Sequence, residues 1–245
     1  MKRELAMGIN VVEALLEASP ERLIRAWIQP TSDRLGRIQQ RLSERGIATE
    51  VSDARALDRL SGRVRHQGVI VEFQAREPLD EAALENLLTD LRQPLVLVLD
   101  GITDPHNLGA CIRSAAAAGA HAVVVPKDRA AGLTPVVRRA AAGATERIPL
   151  AMVTNLARTL RMLAERGFWR VGLDGQAEAS LYEAGLDQTA LAVVLGSEGR
   201  GMRRLTRELC DEVVRIPMPG AMESLNVSVA AGIVLFEAVR CRSHP

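Results

Sequence analysis

The chain has 245 residues, 31 Lys plus Arg against 30 Asp plus Glu, a formal net charge of +1, 47% hydrophobic residues and only 2% aromatics. That length holds one large or two small domains with an ample core, and the near-zero charge excludes a global basic field as the basis of nucleic-acid binding. No apolar run reaches membrane-spanning length, and MKRELAMGIN lacks the apolar core of a signal peptide, so a cytoplasmic protein with no membrane partner is expected. Cys111, Cys210 and Cys241 are far apart, with no CxxC and no paired His spacing, and read as reduced core thiols rather than metal ligands. Only Lys2 and Lys127 are lysines. Arginine suits bidentate phosphate recognition, although a compositional bias of the genome explains the excess as well.

In chain order, residues 1–74 predict a small α/β domain. A helix near Ile9–Glu17 precedes a strand at Ile24–Ile28, a helix at Arg34–Arg45, and strands at Ile47–Val51 and Gly68–Phe73. Residues 75–93 are charged, contain Pro78 and carry a weak helical pattern, which marks them as a linker. From 94 to 245 strands and helices alternate. Strands are expected at Leu95–Leu99, Ala122–Val125, Trp169–Leu173, Leu191–Leu195 and Glu212–Ile216. Helices are expected over 108–118, 135–142, 156–165, 203–209 and 227–240. Such alternation predicts a mainly parallel sheet covered by helices. The last helix is apolar around nearly its whole circumference from Val227 to Phe236, so it is either buried or covered by a second subunit.

Three polar segments follow strand-like runs: DPHNLGACIRSA (104–115), LGSEGRGM (195–202) and IPMPGAMESLNVSVA (216–230). Ligands in open α/β folds bind outside the carboxyl ends of strands, so three such exits point to one shared site. None is a GxGxxG or Walker loop, and this argues against a dinucleotide-dependent oxidoreductase. Arg113 is a lone cation on a small, apolar helix, misplaced for the helix dipole, and calls for an anionic partner such as phosphate. Asn107 reads as a helix cap and Asn226 as the N-cap of the last helix; Glu198, between Gly196, Gly199 and Gly201, is held in a tight turn. His106 stands beside Asn107 in the first loop. Arg63, Arg65 and His66 form a basic cluster suited to a single-stranded or looped RNA, with a solvated turn as the alternative.

The segments NLGACIRSA, GSEGRGM and SLNVSVA resemble, in order and spacing, the three motifs of the SpoU, or TrmH-like, family of RNA ribose 2′-O-methyltransferases. The resemblance is strong over 94–243 and weaker in the N-terminal part, where GINVVEALLE and HQGVI look like the family's substrate-binding domain. It implies an α/β fold of SPOUT type: a C-terminal catalytic domain with a mainly parallel sheet tied in a deep trefoil knot, and a small N-terminal α/β domain that binds substrate. It also implies S-adenosylmethionine as cofactor and a homodimer, and the cysteine and histidine pattern calls for no metal. Carried over by position, Gly196, Ile216 and Leu225 contact the cofactor, and Asn107, Arg113, Glu198, Ser224 and Asn226 form the catalytic set. The finer match of HAVVVPKDR, VTNLARTLRML and GMRRLTRELCDE implies guanosine in 23S ribosomal RNA as target, with a tRNA ribose as the alternative. Family models give proton removal to the arginine, but a guanidinium of pKa about 12.5–13.8 is a poor base. Arg113, Glu198 and a phosphate oxygen remain the alternatives.

Overall fold

The computed structural model describes residues 2–128, 130–222 and 224–243. They divide into two compact units, residues 1–77 with 133–147, and residues 78–132 with 148–245.

In the first unit, strand β1 (Arg3–Met7) leads into helix α1 (Ile9–Ala18), then β2 (Leu23–Ile28), α2 (Asp33–Glu44), β3 (Ala48–Val51), α3 (Ala54–Ser61) and β4 (Val69–Gln74). The sheet order is β1-β4-β2-β3, with β2 and β3 parallel and the other pairs antiparallel. Leu15, Leu16, Ile28, Ile38, Leu42, Val71 and Phe73 form its core, each at most 1% exposed. Strand β1 and helix α3 were not anticipated. RELAM carries charge at its start, and ARALDRLS, although amphipathic, is only eight residues long, shorter than the span over which periodicity marks a helix.

The second unit starts with α4 (Glu81–Leu88), inside the stretch expected to be a linker. Its Leu84 and Leu88 are buried in the core of this unit, and Leu79 pairs with Ala151 as a parallel bridge. The chain then runs through β5 (Leu95–Asp100), α5 (Pro105–Ala117), β6 (Ala122–Pro126), α6 (Pro135–Ala140), β7 (Leu150–Val153) and α7 (Leu156–Glu165). It continues with β8 (Trp169–Leu173), β9 (Ala179–Ser180), β10 (Leu191–Gly196), α8 (Arg204–Glu208), β11 (Glu212–Arg215) and α9 (Val227–Ser243). The seven strands lie in the order β7-β6-β5-β10-β8-β11-β9, and every pairing is parallel. Central strands LVLVLD, AVVVP and LAVVLG are continuous apolar runs because both faces are covered, as parallel sheets require.

Helix α6 and its flanks, 133–147, cluster with the first unit rather than with the sheet that precedes and follows them in sequence. A buried charge network explains why. Glu146 accepts from Arg138 Nη1 at 2.6 Å and from Arg22 Nη1 at 2.8 Å. Arg138 Nε also donates to Glu4 at 3.2 Å, and both guanidinium groups lie over the Phe73 ring. The boundary is therefore not a single linker at 75–93.

Helix α9 packs on α5 and β10. Ala231, Val234, Leu235 and Ala238 are fully buried, while Val229 and Phe236, seven residues apart, are each 50% exposed. No helix among the described residues is long and apolar enough to cross a membrane.

Candidate active site

The three polar segments leave β5, β10 and β11 at the same carboxyl end of the parallel sheet, β5 and β10 being neighbours and β8 lying between β10 and β11. Helix α5 is capped by Asp104, whose carboxylate accepts from His106 N at 3.0 Å, with Pro105 at the first helical position. Asn107 is thus not the cap. It sits in the first turn with its amide free to reach outward.

That amide meets the other two segments. Asn107 Nδ2 donates to Glu198 Oε2 at 3.4 Å, and Asn226 Nδ2 donates both to Asn107 Oδ1 at 2.9 Å and to Glu198 Oε1 at 2.7 Å. The backbone N–H of Val227, the first residue of α9, also donates to Glu198 Oε1 at 3.3 Å. Glu198 therefore caps α9, and its charge stands where the α9 dipole favours an anion. Asn226 behaves as expected of a cap: its Oδ1 accepts from Ser228 N at 2.9 Å and Ser228 Oγ at 2.6 Å.

Beside this triangle lies a cavity of about 490 Å³. Gly196, Glu198, Ile216, Ser224 and Leu225 line it; Asn107, Arg113 and Asn226 do not. Its wall is backbone-rich. Ser197 and Gly201 exchange two backbone hydrogen bonds, folding the glycine segment into a tight loop in which Gly199 and Gly201 have φ of +77° and +64°. A Cβ placed on Gly196 would overlap the carbonyl carbon of Gly201 and the amide nitrogen of Met202. Glu223, within the third segment, lies outside the described residues.

Several contributors were not anticipated. Leu173, Asp174, Gly175 and Gln176, at the exit of β8, line the same cavity, as does Met218. The signal was available, since WRVGL followed by DG is another strand exit with a glycine. Asp100 was also missed. Its side chain is fully buried at the end of β5 and accepts from Arg203 N at 2.9 Å, Nε at 2.6 Å and Nη2 at 2.5 Å. Asp100 also stands opposite Gly196 in the β5–β10 register. One residue thus holds both ends of the glycine loop.

Arg113 is exposed on α5 and makes no hydrogen bond or ion pair among the described residues, which leaves its guanidinium available to an external anion. Burial pushes the Cys111 thiol of the same helix up to about 12, with the Glu198 charge adding to the effect. His106 is exposed, and among the described residues its ring makes no hydrogen bond.

In the first unit Arg63 and Arg65 are exposed and without ion pairs among the described residues. His66 is engaged: Nδ1 accepts from Gly68 N at 3.0 Å and Nε2 lies 3.2 Å from Asp58 Oδ1. This histidine shapes its turn. Arg63 and Gln67 both adopt left-handed φ, +64° and +54°, a strained arrangement for residues with side chains.

A parallel sheet whose strand exits bring an acid and two amides together beside a glycine-walled cavity is the catalytic half of an RNA ribose 2′-O-methyltransferase. The chain belongs to the SpoU rRNA methylase family, which residues 94–236 match; residues 5–79 match the RNA 2′-O ribose methyltransferase substrate-binding domain. It is 50% identical over 242 residues, 98% of this chain and 99% of the relative, to the 23S rRNA (guanosine-2′-O-)-methyltransferase RlmB of Escherichia coli K12. To the enzyme of that name from Shewanella oneidensis it is 48% identical over 243 residues, 98% of each chain. Among solved structures, an RNA 2′-O ribose methyltransferase superposes with a TM-score of 0.78 at 30% identity, covering 98% of this chain and 89% of that one. The fold also matches the SpoU methyltransferase AviRb of Streptomyces viridochromogenes, solved with its cofactor AdoMet, with a TM-score of 0.81 at 24% identity, covering 99% and 92%.

Proposed function

We propose that this protein transfers a methyl group from S-adenosylmethionine to the ribose 2′-hydroxyl of a guanosine in 23S ribosomal RNA, in the cytoplasm. The observation that carries this reading is similarity at about half identity across both units to relatives named for that reaction. A solved protein concerned with C/U34 of tRNA covers only 62% of this chain, at a TM-score of 0.56. The tRNA alternative accounts for the catalytic fold but not for the first unit.

The cofactor supplies an already activated methyl group, so the protein's task is to bind, orient and exclude water. The 490 Å³ cavity fits it, and the Gly196–Gly201 backbone brings peptide groups where no side chain fits. Gly196, Ile216 and Leu225 are assigned to cofactor contact. Asn107, Glu198 and Asn226 fix one another and the α9 N-terminus, giving the ribose a rigid polar wall, and Ser224 stands at the cavity beside them. Both Glu198 oxygens are committed to N–H donors, which suits a positioning role. Arg113 binds the RNA phosphate next to the target ribose. Arg63 and Arg65, on a turn held in left-handed φ, are assigned to RNA contact in the first unit, with His66 holding the turn.

The trefoil knot of the family and a homodimer complete the proposal. The half-exposed Val229 and Phe236 of α9 give a second copy an apolar face to cover. Mapping ribose methylation on 23S rRNA from cells with and without the gene tests the reading: one guanosine should lose its methyl group. A 23S rRNA pattern identical in both strains would refute it. Light scattering at micromolar concentration should give twice the chain mass of 26.5 kDa.

A further inference from the structure

A second cavity, of about 350 Å³, opens at the exits of β6 and β7. Pro126 and Asp128 line it after β6, Thr154 and Asn155 after β7, and Arg203, Leu205 and Thr206 at the start of α8. The roles assigned above do not use it. Its place in the sheet is informative. Along the order β7-β6-β5-β10-β8-β11, this cavity comes first, the Asn107–Glu198–Asn226 triangle stands at the β5 and β10 exits, and the cofactor cavity reaches to β8 and β11. With strands about 4.8 Å apart, β6 and β7 lie one and two spacings, roughly 5–10 Å, from β5. A single nucleotide spans that interval.

The lining is specific in chemistry. Thr206 lines this cavity, and its hydroxyl, which is not sealed from it, has no hydrogen-bond partner among the described residues. A hydroxyl open to the cavity and without an internal partner is available to a ligand there. The Asp128 carboxylate is exposed and makes no hydrogen bond or ion pair among the described residues. Asn155 spends Oδ1 on Arg158 N, at 3.0 Å, and keeps its Nδ2 donor. The charge of Arg203 is already compensated by Asp100. A carboxylate with no partner among the described residues, beside a compensated arginine, repels a phosphate. It suits the edge of a base, with Pro126, Leu156 and Leu205 against the ring faces. Enzymes acting on nucleotides read an extruded base by its Watson–Crick edge in such pockets. Guanine presents the adjacent N1–H and N2 amino donors that one carboxylate accepts together, with O6 left for a hydroxyl or amide donor.

We propose that this second cavity receives the base of the target nucleotide and selects guanine, Asp128 accepting from N1–H and the N2 amino group while Thr206 and Asn155 donate to O6. The proposal rests on the methyl-transfer reading above and adds to it the side chains that read the base.

The test uses the full-length protein and 23S rRNA fragments carrying guanosine or inosine, which lacks the N2 amino group, at the target position. For the wild type, kcat/KM should fall roughly 10–100-fold with inosine, the discrimination expected of one bidentate contact. Asp128→Ala should lower kcat/KM on guanosine by a similar factor and bring the guanosine-to-inosine ratio close to one, with cofactor Kd unchanged. Thr206→Val, which keeps shape and removes the hydroxyl, should lower kcat/KM equally on both RNAs. A merely structural defect at Asp128 would lower both substrates together and leave the ratio intact. An unchanged ratio in Asp128→Ala, or a wild type that does not distinguish the two RNAs, overturns the assignment of this cavity. A wild type that methylates neither RNA overturns the functional reading and this inference with it.

Discussion

Glu198 Oε1 accepts from Asn226 Nδ2 at 2.7 Å, although 28 residues separate the two in sequence. The same oxygen caps α9, so this contact joins the glycine loop to the helix on which the third segment ends. Replacing Glu198 by Gln keeps the shape and places an NH2 group among donors. Glu198 is exposed, so the loss is about the net worth of one hydrogen bond to a charged group, roughly 1.5–3 kcal/mol at most. Glu198→Gln should therefore lower the thermal midpoint and reduce kcat at least tenfold. Calorimetry together with single-turnover assays checks both, and a variant with wild-type kcat would remove the triangle from the reaction.

Gly196 tolerates no side chain. A Cβ there overlaps backbone atoms of Gly201 and Met202, which cannot swing aside as a side chain would. Gly196→Ala, the smallest change available, should abolish cofactor binding in isothermal titration while circular dichroism retains the α/β signature. Native folding combined with normal affinity would take this loop out of the cofactor site.

Arg113→Ala should behave in the opposite way. Its guanidinium makes no ion pair among the described residues and does not line the cofactor cavity, so removal disturbs no internal contact. Methylation should fall by two or more orders of magnitude, a rough figure for losing an electrostatic positioning group, with cofactor Kd within a few-fold of wild type. Loss of cofactor binding would contradict the phosphate assignment.

Much of this was legible from residues alone. The three segments announced a shared site because each follows a buried apolar run, and the structure brings Asn107, Glu198 and Asn226 within hydrogen-bond reach of one another. What escaped has physical reasons. Asp100 reads as the last residue of LVLVLD, and only the return of the chain at Arg203 gives its carboxylate a partner 103 positions away. Residues 133–147 look like one more helix of the alternating domain; the pairing of Arg138 and Glu146 with Arg22 and Glu4 is long-range charge complementarity, which periodicity does not carry. The linker reading failed because α4 is short and polar on one side, while its Leu84 and Leu88 fill the second core.

The thiols of Cys111 and Cys210 should be inert in the native protein. Burial pushes both Cys111 and Cys210 up to about 12 from an ordinary value of 9.0. At pH 8 only about one in 10,000 such thiols is ionised, and the thiolate is the reactive form. Iodoacetamide at pH 8 should leave both unmodified for hours, as read by mass spectrometry, and label them promptly in guanidinium chloride. Because the folded-state values are raised, folding favours the protonated thiols. Their contribution to stability is intact below about pH 8.5, the ordinary range for a free thiol, and declines as pH rises beyond it. A thermal midpoint that rises between pH 8.5 and 10.5 would contradict this.

Where the catalytic unit can be cut free follows from its packing. In sequence a fragment of residues 94–245 is self-contained, since all three polar segments lie within it. It would lose Leu79, whose backbone N–H donates to Leu150 O and whose carbonyl accepts from Met152 N, each at 2.9 Å. It would also lose Leu84 and Leu88 from the core, and strand Val137, Arg138, Ala141 and Glu146, which are buried within the first unit. Deleting two buried leucines costs about 2–5 kcal/mol each, comparable to a whole domain's stability of about 5–15 kcal/mol. The 94–245 fragment should therefore be insoluble or molten. A fragment beginning at Pro78, with 133–147 replaced by a flexible Gly/Ser linker, should fold and bind S-adenosylmethionine. It should methylate 23S rRNA fragments poorly, with a shallower salt dependence than the full chain, because Arg63 and Arg65 no longer supply phosphate contacts. Analytical ultracentrifugation, cofactor titration and methylation across a salt series distinguish the two fragments. Full activity of the shorter one would show that the first unit is dispensable for RNA recognition.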